Sequence, residues 1–282
     1  MENSILLVHD WVTVGKVAGP MMTPIFSIAG FNVSFLPTVY LSTHTGGFPS
    51  NVIHPMTQIM QDSLDHLNSL PISFDHVVTG YFAGNQEIET LIDNLKQPLM
   101  TSAQVIVDPV MADKGKLYRG FDVSYPQVMK NLVHKANILL PNITEACLLT
   151  DTPYLGDDYT LEQVDQLVDK LHALGPERVI LTGISFDSQQ IGFYASDKSS
   201  RIYVSHERFQ EDFYGTGDLS TALISSLLIK GVNVQETLEF TVKWMHTILE
   251  RSLASGKPIK YGLSIEPLLI DLGLAMRELC NV

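Results

Sequence analysis

The segment Gly215-Thr216-Gly217-Asp218 has the residue types that point most directly to chemistry. Two glycines around a small hydroxyl residue let backbone amides approach a ligand closely. The apolar run that follows predicts a helix, whose first N–H groups and positive dipole end favour an anion. A carboxylate beside a phosphate is unhelpful unless it accepts a proton from an attacking hydroxyl, so the segment fits phosphoryl transfer. The alternative is a glycine turn in which Asp218 only caps the helix.

Short apolar runs, separated by helical stretches, indicate the elements that position this segment. The runs cover residues 4–8, 33–39, 76–79, 104–108, 137–140 and 178–182. They lack polar–apolar alternation, which is typical of strands buried on both faces. The spacing of apolar residues after Thr160 predicts a helix that stops before Gly175-Pro176. We therefore predict one α/β domain over residues 1–282, a three-layer α/β/α sandwich around a mostly parallel sheet.

Polar residues follow several of these runs directly. In parallel sheets, ligands bind where loops converge at the carboxyl ends of strands, so these residues are candidates for a site. They are His9-Asp10, Thr79-Gly80-Tyr81, Asp108-Pro109, Pro141-Asn142 and Thr182-Gly183.

Composition excludes several classes of function. The chain has 282 residues, of which 45% are hydrophobic and 17% charged, so it is long and apolar enough to bury a core. A net charge of −13 opposes binding to phosphate backbones, and we expect no nucleic-acid partner. Two cysteines, Cys147 and Cys280, cannot form a disulfide framework, which fits a reducing compartment. We predict a cytoplasmic protein.

Residues 17–61 contain no Asp, Glu, Lys or Arg. A membrane-spanning helix needs about 20 predominantly apolar residues, whereas this stretch is interrupted by Pro20, Pro24, Gly30 and Pro37 and ends in a polar run. We interpret it as buried elements that lead into an uncharged loop, and we expect no association with a membrane.

Several further motifs, in order along residues 5–254, resemble those of pyridoxal kinases, a family of the ribokinase superfamily. Residues 38–46 read TVYLSTHTG, residues 79–81 TGY, residues 108–113 DPVMAD, residues 115–118 GKLY and residues 141–146 PNITEA. Each motif alone is weak, but their combination and order are specific. The resemblance implies a ribokinase-like fold and an ATP-dependent, Mg²⁺-dependent kinase that phosphorylates the hydroxymethyl group of a B6 vitamer.

The resemblance also implies roles for the first segment. Asp218 would be the general base that deprotonates the acceptor alcohol. The backbone N–H groups of Gly215, Thr216 and Gly217 would stabilise the charge that develops on the transferred group.

On the nucleotide side, the resemblance implies a set of residues around Mg²⁺ and the phosphates of ATP. Asp108 and Glu145 would organise the metal, since Mg²⁺ prefers hard oxygen ligands. Without the resemblance, Glu145 would be a first-turn helix acid, Thr182 a strand-end hydroxyl and Tyr118 a core residue. The residues implied for ATP are Asp113, Asn142, Glu145, Thr182 and Tyr118.

On the acceptor side, Val17, His44, Thr45 and Tyr81 match positions that line the pyridine pocket of the family. An aromatic side chain such as that of Tyr81 can stack on a flat ring, while hydroxyls read the ring substituents. The uncharged region would then supply a neutral wall and a flap, with its hinge at Gly46-Gly47.

The chain departs from the family at His9-Asp10, where the family has glutamine and serine. Serine can donate or accept, whereas an ionised Asp only accepts. Asp10 in contact with the substrate ring would favour a protonated ring nitrogen, or an amino or hydroxyl donor. This leaves pyridoxal, pyridoxine and pyridoxamine as candidate substrates and admits an aminopyrimidine alcohol.

Two other functions therefore stay open. A kinase for hydroxymethylpyrimidine in thiamin salvage has the same fold and base, although the glycine-rich segment usual after its first strand is absent here. A catalytically idle regulator that binds a vitamer or a nucleotide would need a lost base or metal partner, yet Asp218, Asn142 and Glu145 are all present. A homodimer is expected from the resemblance.

Overall fold

The apolar runs form strands in the computed structural model, which describes residues 3–197 and 199–281. The strands are β1 (Ser4–Val14), β2 (Asn32–Thr43), β3 (Ile53–Pro55), β4 (His76–Thr79), β5 (Gln104–Val107), β6 (Ala112–Asp113), β7 (Lys116–Leu117), β8 (Ile138–Leu139), β9 (Arg178–Ile184), β10 (Gln190–Ser196) and β11 (Arg201–Glu207). β6 and β7 pair separately, and the other strands form one nine-stranded sheet.

The sheet has the order β11-β10-β9-β8-β5-β4-β1-β2-β3. Its pairs from β9 through β8, β5, β4 and β1 to β2 are parallel, whereas β10, β11 and β3 each join by an antiparallel pair. The prediction of a mostly parallel sheet is confirmed.

Helices cover both faces of the sheet. They are α1 (Ala18–Ile28), α2 (Thr57–Asn68), α3 (Asn85–Asn94), α4 (Tyr125–Val133), α5 (Ile143–Leu149), α6 (Leu161–Ala173), α7 (Thr216–Ile229), α8 (Val234–Ala254) and α9 (Leu269–Leu279). One core joins the sheet to α2 through α6, and the other joins it to α1, α7, α8 and α9. The three-layer α/β/α sandwich is confirmed, and the single domain over residues 1–282 stays a prediction.

The central strand β1 shows why its sequence does not alternate. Leu6 and Val8 belong to the first core, while Ile5 and Leu7 belong to the second. Because both faces are buried, every position of this part of the strand must be apolar. The pairing of β1 with β2 shifts register between His9 and Trp11, and such an irregularity re-aims the side chains beside it.

Local signals fix the predicted helix α6. The Thr160 side chain accepts a hydrogen bond from the Gln163 N–H, and the Gln163 side chain accepts one from the Thr160 N–H. This capping box satisfies two N–H groups that the helix itself leaves free. The helix ends at Ala173, before Gly175, as predicted.

The uncharged residues 17–61 form α1, β2, an irregular loop at residues 44–52, β3 and the start of α2. α1 buries Met21, Met22, Ile25 and Phe26. The interpretation as buried elements that lead into a loop is confirmed. Within the described residues, no helix has the length and apolar character needed to cross a membrane.

The central position of β5 generates a stability prediction. Ile106 is fully buried there, whereas Ile270 on α9 is 78% exposed. Ile106→Ala should lower the free energy of unfolding by about 2–5 kcal/mol, because it removes buried methyl groups and leaves a cavity. Ile270→Ala is the matched control and should change it by less than about 0.5 kcal/mol. Urea denaturation measures both, and equal losses would contradict the core assignment.

Candidate active site

Backbone hydrogen bonds join the ends of the parallel strands at one edge of the sheet. The Gly80 N–H donates to the Val8 carbonyl (3.0 Å), and the Asp108 N–H to the Thr79 carbonyl (3.2 Å). The Thr182 N–H donates to the Pro141 carbonyl (2.9 Å). The polar residues are therefore brought together at this edge, as we expected. His9-Asp10 and Thr182-Gly183 lie within β1 and β9, however, because these strands continue to Val14 and Ile184.

The GTGD segment forms the turn into α7. Gly215 has φ +87°, and a Cβ atom there would lie 2.7 Å from the Lys16 carbonyl oxygen. This position therefore requires glycine. At Gly217 a Cβ atom would meet nothing within 4 Å, so the backbone of this residue borders open space. The first N–H groups of α7 are available to an anion in that space.

Asp218 lies in the first turn of α7, and 15% of its side chain is exposed. Its Oδ2 accepts a hydrogen bond from the Ala18 N–H at 2.6 Å. Its Oδ1 lies 3.2 Å from His9 Nε2, at an ion-pair distance but outside hydrogen-bond geometry. Burial by itself raises the pKa of Asp218, but His9 and the Ala18 N–H outweigh it and lower the pKa below the ordinary value. Asp218 is therefore ionised at neutral pH.

His9 is buried between two carboxylates. Its Nδ1 lies 2.6 Å from Asp10 Oδ1, and its Nε2 faces Asp218. Burial disfavours the charged ring, but Asp10 and Asp218 overcome this and raise the pKa of His9 to about 10. The ring lies directly against Gly80, where a Cβ atom would be 2.0 Å from Nε2. The glycine of the TGY motif thus makes room for an imidazolium.

Asp10 is 5% exposed, and its carboxylate forms a hydrogen bond with the His9 ring. Burial raises its pKa, and the hydrogen bond and charge of His9 oppose that rise. The ring contact predicted for Asp10 stays a prediction; in this structure one of its oxygens is already committed to His9.

Asp108 is 8% exposed and lies after β5. Its Oδ2 accepts a hydrogen bond from Thr221 Oγ1 at 2.6 Å. Burial and the negative charge of Asp218 raise the pKa of Asp108 to about 7, against the lowering effects of Thr221 and His9. A buried carboxylate with this electrostatic environment favours the approach of a cation.

Asn142 and Glu145 form a capping box at the start of α5. Asn142 Oδ1 accepts from the Glu145 N–H (3.0 Å), and Glu145 Oε2 accepts from the Asn142 N–H (2.9 Å). Glu145 Oε1 also accepts from the Met111 N–H (3.0 Å), and Asn142 Nδ2 donates to the Ala112 carbonyl (2.8 Å). The pair therefore joins α5 to the loop after β5. Burial and Asp108 raise the pKa of Glu145.

Around this pair lie the other residues predicted for the nucleotide. Thr182 pairs with Asn142 through an isolated β-bridge. Asp113 in β6 is exposed, and Tyr118 is 36% exposed. Burial, Glu145 and Asp113 raise the pKa of Tyr118. Tyr118 thus lies close enough to Glu145 and Asp108 for their charges to act on it, and Thr182 lies beside Asn142.

The residues predicted for the acceptor fall into two groups. Val17 and Tyr81 belong to a small apolar cluster, which also includes Val12, Ala18, Val39, Leu41, Ala83 and Tyr214. Burial and the charge of Asp10 raise the pKa of Tyr81 to about 12. His44 Nε2 lies 2.6 Å from the Lys260 carbonyl oxygen, and its ring centroid is 4.6 Å from that of Tyr214. Thr45 is exposed in the loop after β2.

Two carboxylates at this edge of the sheet, those of Asp108 and Glu145, are available as ligands for a metal ion. No cluster of three or more His, Cys, Asp or Glu side chains that could hold a metal occurs within residues 3–197 and 199–281. Mg²⁺ needs only one or two carboxylates, with water and substrate phosphates as its other ligands. Asp108 and Glu145 fit that requirement. Their carboxylate oxygens are hard ligands, and they are buried close enough together that Asp108 raises the pKa of Glu145.

The sequence model of one enzyme family, described as phosphomethylpyrimidine kinase, matches residues 45–261. The chain belongs to this family. The prediction that it is a phosphotransferase with a ribokinase-like fold is therefore confirmed. Similar solved structures include a putative phosphomethylpyrimidine kinase from Bacteroides thetaiotaomicron in a crystal form with pyridoxal. That structure has 30% identity and a TM-score of 0.86, with 96% of this chain and 95% of that chain covered.

The family relatives include pyridoxal kinases. The Bos taurus pyridoxal kinase is 28% identical, over 98% of this chain and 93% of its own length. The structure of pyridoxal kinase from Lactobacillus plantarum has 27% identity and a TM-score of 0.89, and it covers 99% of both chains. The resemblance to pyridoxal kinases inferred from the motifs is confirmed.

Sequence reasoning missed two side chains of this family site. His9 is one of the polar residues expected near a strand end, but the sequence does not show that it contacts Asp218. Thr221, which donates to Asp108, lies three residues after Asp218 and so on the same side of α7.

The buried Asp108 gives a pH-dependent prediction. An unfolded chain ionises this carboxyl near pKa 3.8, whereas the folded value is about 7. The folded state therefore binds more protons between these values, and the free energy of unfolding falls as pH rises through that window. Asp108→Asn should reduce this fall.

Urea denaturation at pH 5 and pH 8, in EDTA, measures the difference. Asp271→Asn, which changes an exposed carboxylate on α9, should keep the wild-type fall. An Asp108→Asn protein with the same fall as wild type would show that Asp108 is not held in a raised-pKa state.

Proposed function

We propose that the protein transfers the γ-phosphoryl group of Mg·ATP to the hydroxymethyl group of pyridoxal, pyridoxine or pyridoxamine. The observation that carries the proposal is the position of Asp218 between the anion-binding turn and the apolar cluster of Val17, Ala18 and Tyr81. The names of the relatives support it: pyridoxal kinases match over almost the whole chain, and the Bacteroides structure contains pyridoxal. A Leishmania donovani pyridoxal kinase of the same fold binds ADP and pyridoxamine.

Asp218 is the proposed general base. It is ionised, and its first-turn position places it where the anion-binding turn and the acceptor cluster meet. As the acceptor oxygen attacks phosphorus, its O–H bond breaks and the proton moves to the carboxylate of Asp218. This step explains a carboxylate beside a phosphate site, where a permanent negative charge would otherwise repel the substrate.

The N–H groups of Gly215, Thr216 and Gly217 are proposed to bind the transferred group. They sit at the start of α7, and the open space at Gly217 lets a phosphate oxygen approach the backbone. Fixed donors aimed at developing charge stabilise the transition state without reorganisation at the moment of reaction.

Asp108 and Glu145 are the proposed Mg²⁺ residues, and Asn142, Asp113, Thr182 and Tyr118 border the nucleotide. A bound Mg²⁺ would neutralise charge on the phosphates of ATP. Both oxygens of Glu145 accept backbone N–H groups. Each keeps a second lone pair, so Glu145 can organise water around the ion while it fixes the loop.

The vitamer is proposed to lie against Val17 and Tyr81, with His44 and Thr45 above it. Val17 is 6% exposed and Tyr81 partly buried. A neutral aromatic wall suits a pyridine ring, and the high pKa of Tyr81 keeps its hydroxyl protonated as a donor. The loop at residues 44–52, which contains the proposed hinge Gly46-Gly47, reaches the acceptor cluster through the His44 ring, which packs on Tyr214.

The second candidate is hydroxymethylpyrimidine, favoured by the description of the family that the chain belongs to. Both acceptors are flat nitrogen heterocycles with a hydroxymethyl group, so the same base and turn serve either. Nothing favours a catalytically idle regulator, because the proposed base, the GTGD turn and the two proposed metal carboxylates all lie at the same edge of the sheet. The homodimer stays a prediction.

A substrate panel separates these candidates. Release of ADP from Mg·ATP is measured with pyridoxal, pyridoxine, pyridoxamine and hydroxymethylpyrimidine at equal concentrations. We expect kcat/KM for the best B6 vitamer to exceed that for the pyrimidine by at least about tenfold. A preference for the pyrimidine would assign the protein to the second candidate, and no turnover on any acceptor would overturn the kinase proposal.

The role of Asp218 is tested by Asp218→Asn, which keeps the side-chain shape and removes the base. We expect kcat on the best vitamer to fall by about 10²- to 10⁴-fold, while the Kd for ADP stays within about threefold. Asp271→Asn is the matched control and should behave as wild type. If kcat of Asp218→Asn equals that of wild type, Asp218 is not the base.

A further inference from the structure

The site contains a cation that the mechanism above does not use. His9 occupies the end of the buried part of β1, where the register with β2 shifts. Its ring is confined by the close approach of Gly80 on one side and by Asp10 at Nδ1. The ring therefore has little freedom to rotate, and its Nε2 points at Asp218 Oδ1, 3.2 Å away.

Asp218 is held from two directions. The Ala18 N–H fixes Oδ2 from the start of α1, while His9 faces Oδ1 from β1. Two contacts on separate oxygens define the plane of a carboxylate. The lone pairs that remain can then point to an acceptor hydroxyl in a fixed direction, which is what proton abstraction requires.

Several acidic groups surround Asp218. Asp10 on β1 and Asp108 directly after β5 are buried carboxyl groups near it, and Tyr118 also lies within range of its charge. A second histidine, His44 from the loop after β2, also lowers the pKa of Asp218. Without His9, burial and the neighbouring carboxylates would raise the pKa of Asp218, and a protonated carboxyl cannot accept the hydroxyl proton.

We propose that His9, held by Asp10, is a positioning residue that orients Asp218 and keeps it ionised for proton abstraction. This inference rests on the proposed kinase function. His9 does not itself take the proton, because an imidazolium already has a proton on both ring nitrogens. The O–H bond of the acceptor breaks, its oxygen bonds to phosphorus, and the proton stays on Asp218 until solvent removes it.

Two substitutions separate orientation from charge. His9→Leu removes both, whereas His9→Gln keeps a side-chain N–H donor and removes the charge. We expect kcat of His9→Leu to fall by about 10- to 100-fold, because the contact that orients Asp218 is lost and small misplacements of a reacting group cost about that much. KM for vitamer and ATP should stay within about threefold. His9→Gln should recover most of that loss at high pH.

The pH profile of kcat/KM distinguishes this role from a structural one, because a His9 that only supported the fold would not change the profile. Removing the cation raises the pKa of Asp218, so the acid side of the kcat/KM profile should move to higher pH by about one unit or more in both variants. Each profile is compared with that of wild type on the same vitamer. His66→Leu, on the exposed side of α2, is the control and should leave kcat and the profile unchanged.

A measurement without substrate keeps this proposal separate from the kinase proposal. Imidazole ¹⁵N NMR follows the titration of His9 in wild type and in Asp218→Asn. We expect the His9 ring to stay cationic at pH 8 in wild type and its pKa to fall in Asp218→Asn, because one of its two carboxylate partners is lost. If wild type is inactive on every acceptor but this coupling is present, the kinase proposal fails while the charge pairing holds.

The proposal itself is overturned by either of two results. One is a His9→Gln protein, folded by circular dichroism, whose kcat and pH profile match those of wild type. The other is a His9 ring whose titration is the same in wild type and Asp218→Asn. Loss of folding in His9→Leu affects neither result, because the Gln variant and the NMR titration do not depend on it.

Discussion

The electrostatic constraint at the carboxyl edge of the sheet organises the rest of the structure. Asp10, Asp108 and Asp218 lie in or near the interior, where burial and mutual repulsion oppose ionisation. The His9 imidazolium, the Thr221 hydroxyl and the Ala18 N–H offset that cost. These groups come from β1, α1 and α7, so the site requires those elements to be held together.

The parallel sheet supplies that arrangement. The strands β1, β4, β5, β8 and β9 are neighbours in the sheet, and each contributes a polar residue toward the same edge, either within the strand, as at His9 and Thr182, or directly after it, as at Asp108. α7 contributes the N-terminus of a helix, which directly follows a glycine turn. Positive backbone groups and negative side chains thus meet without a Lys or Arg in the turn.

Much of this was predictable from the sequence because it depends on local patterns. The doubly buried strands, the capping box at Thr160 and the GTGD turn all follow from neighbouring residues. The contacts that determine the protonation states of the buried carboxyl groups do not follow from neighbouring residues. Asp218 reaches Ala18 across 200 positions, and Thr221 reaches Asp108 across 113. Likewise, the approach of His9 Nε2 to Asp218 depends on the absence of a side chain at Gly80, which sequence spacing does not reveal.

The proposed reaction is direct phosphoryl transfer from ATP to the hydroxymethyl oxygen of a B6 vitamer. The most direct test is ³¹P NMR of a reaction that contains the protein, Mg·ATP and pyridoxal. The proposed transfer should give one phosphomonoester on the hydroxymethyl group for each ADP formed, with no excess of inorganic phosphate. ADP that appears with an equal amount of inorganic phosphate, and no phosphomonoester, would contradict it.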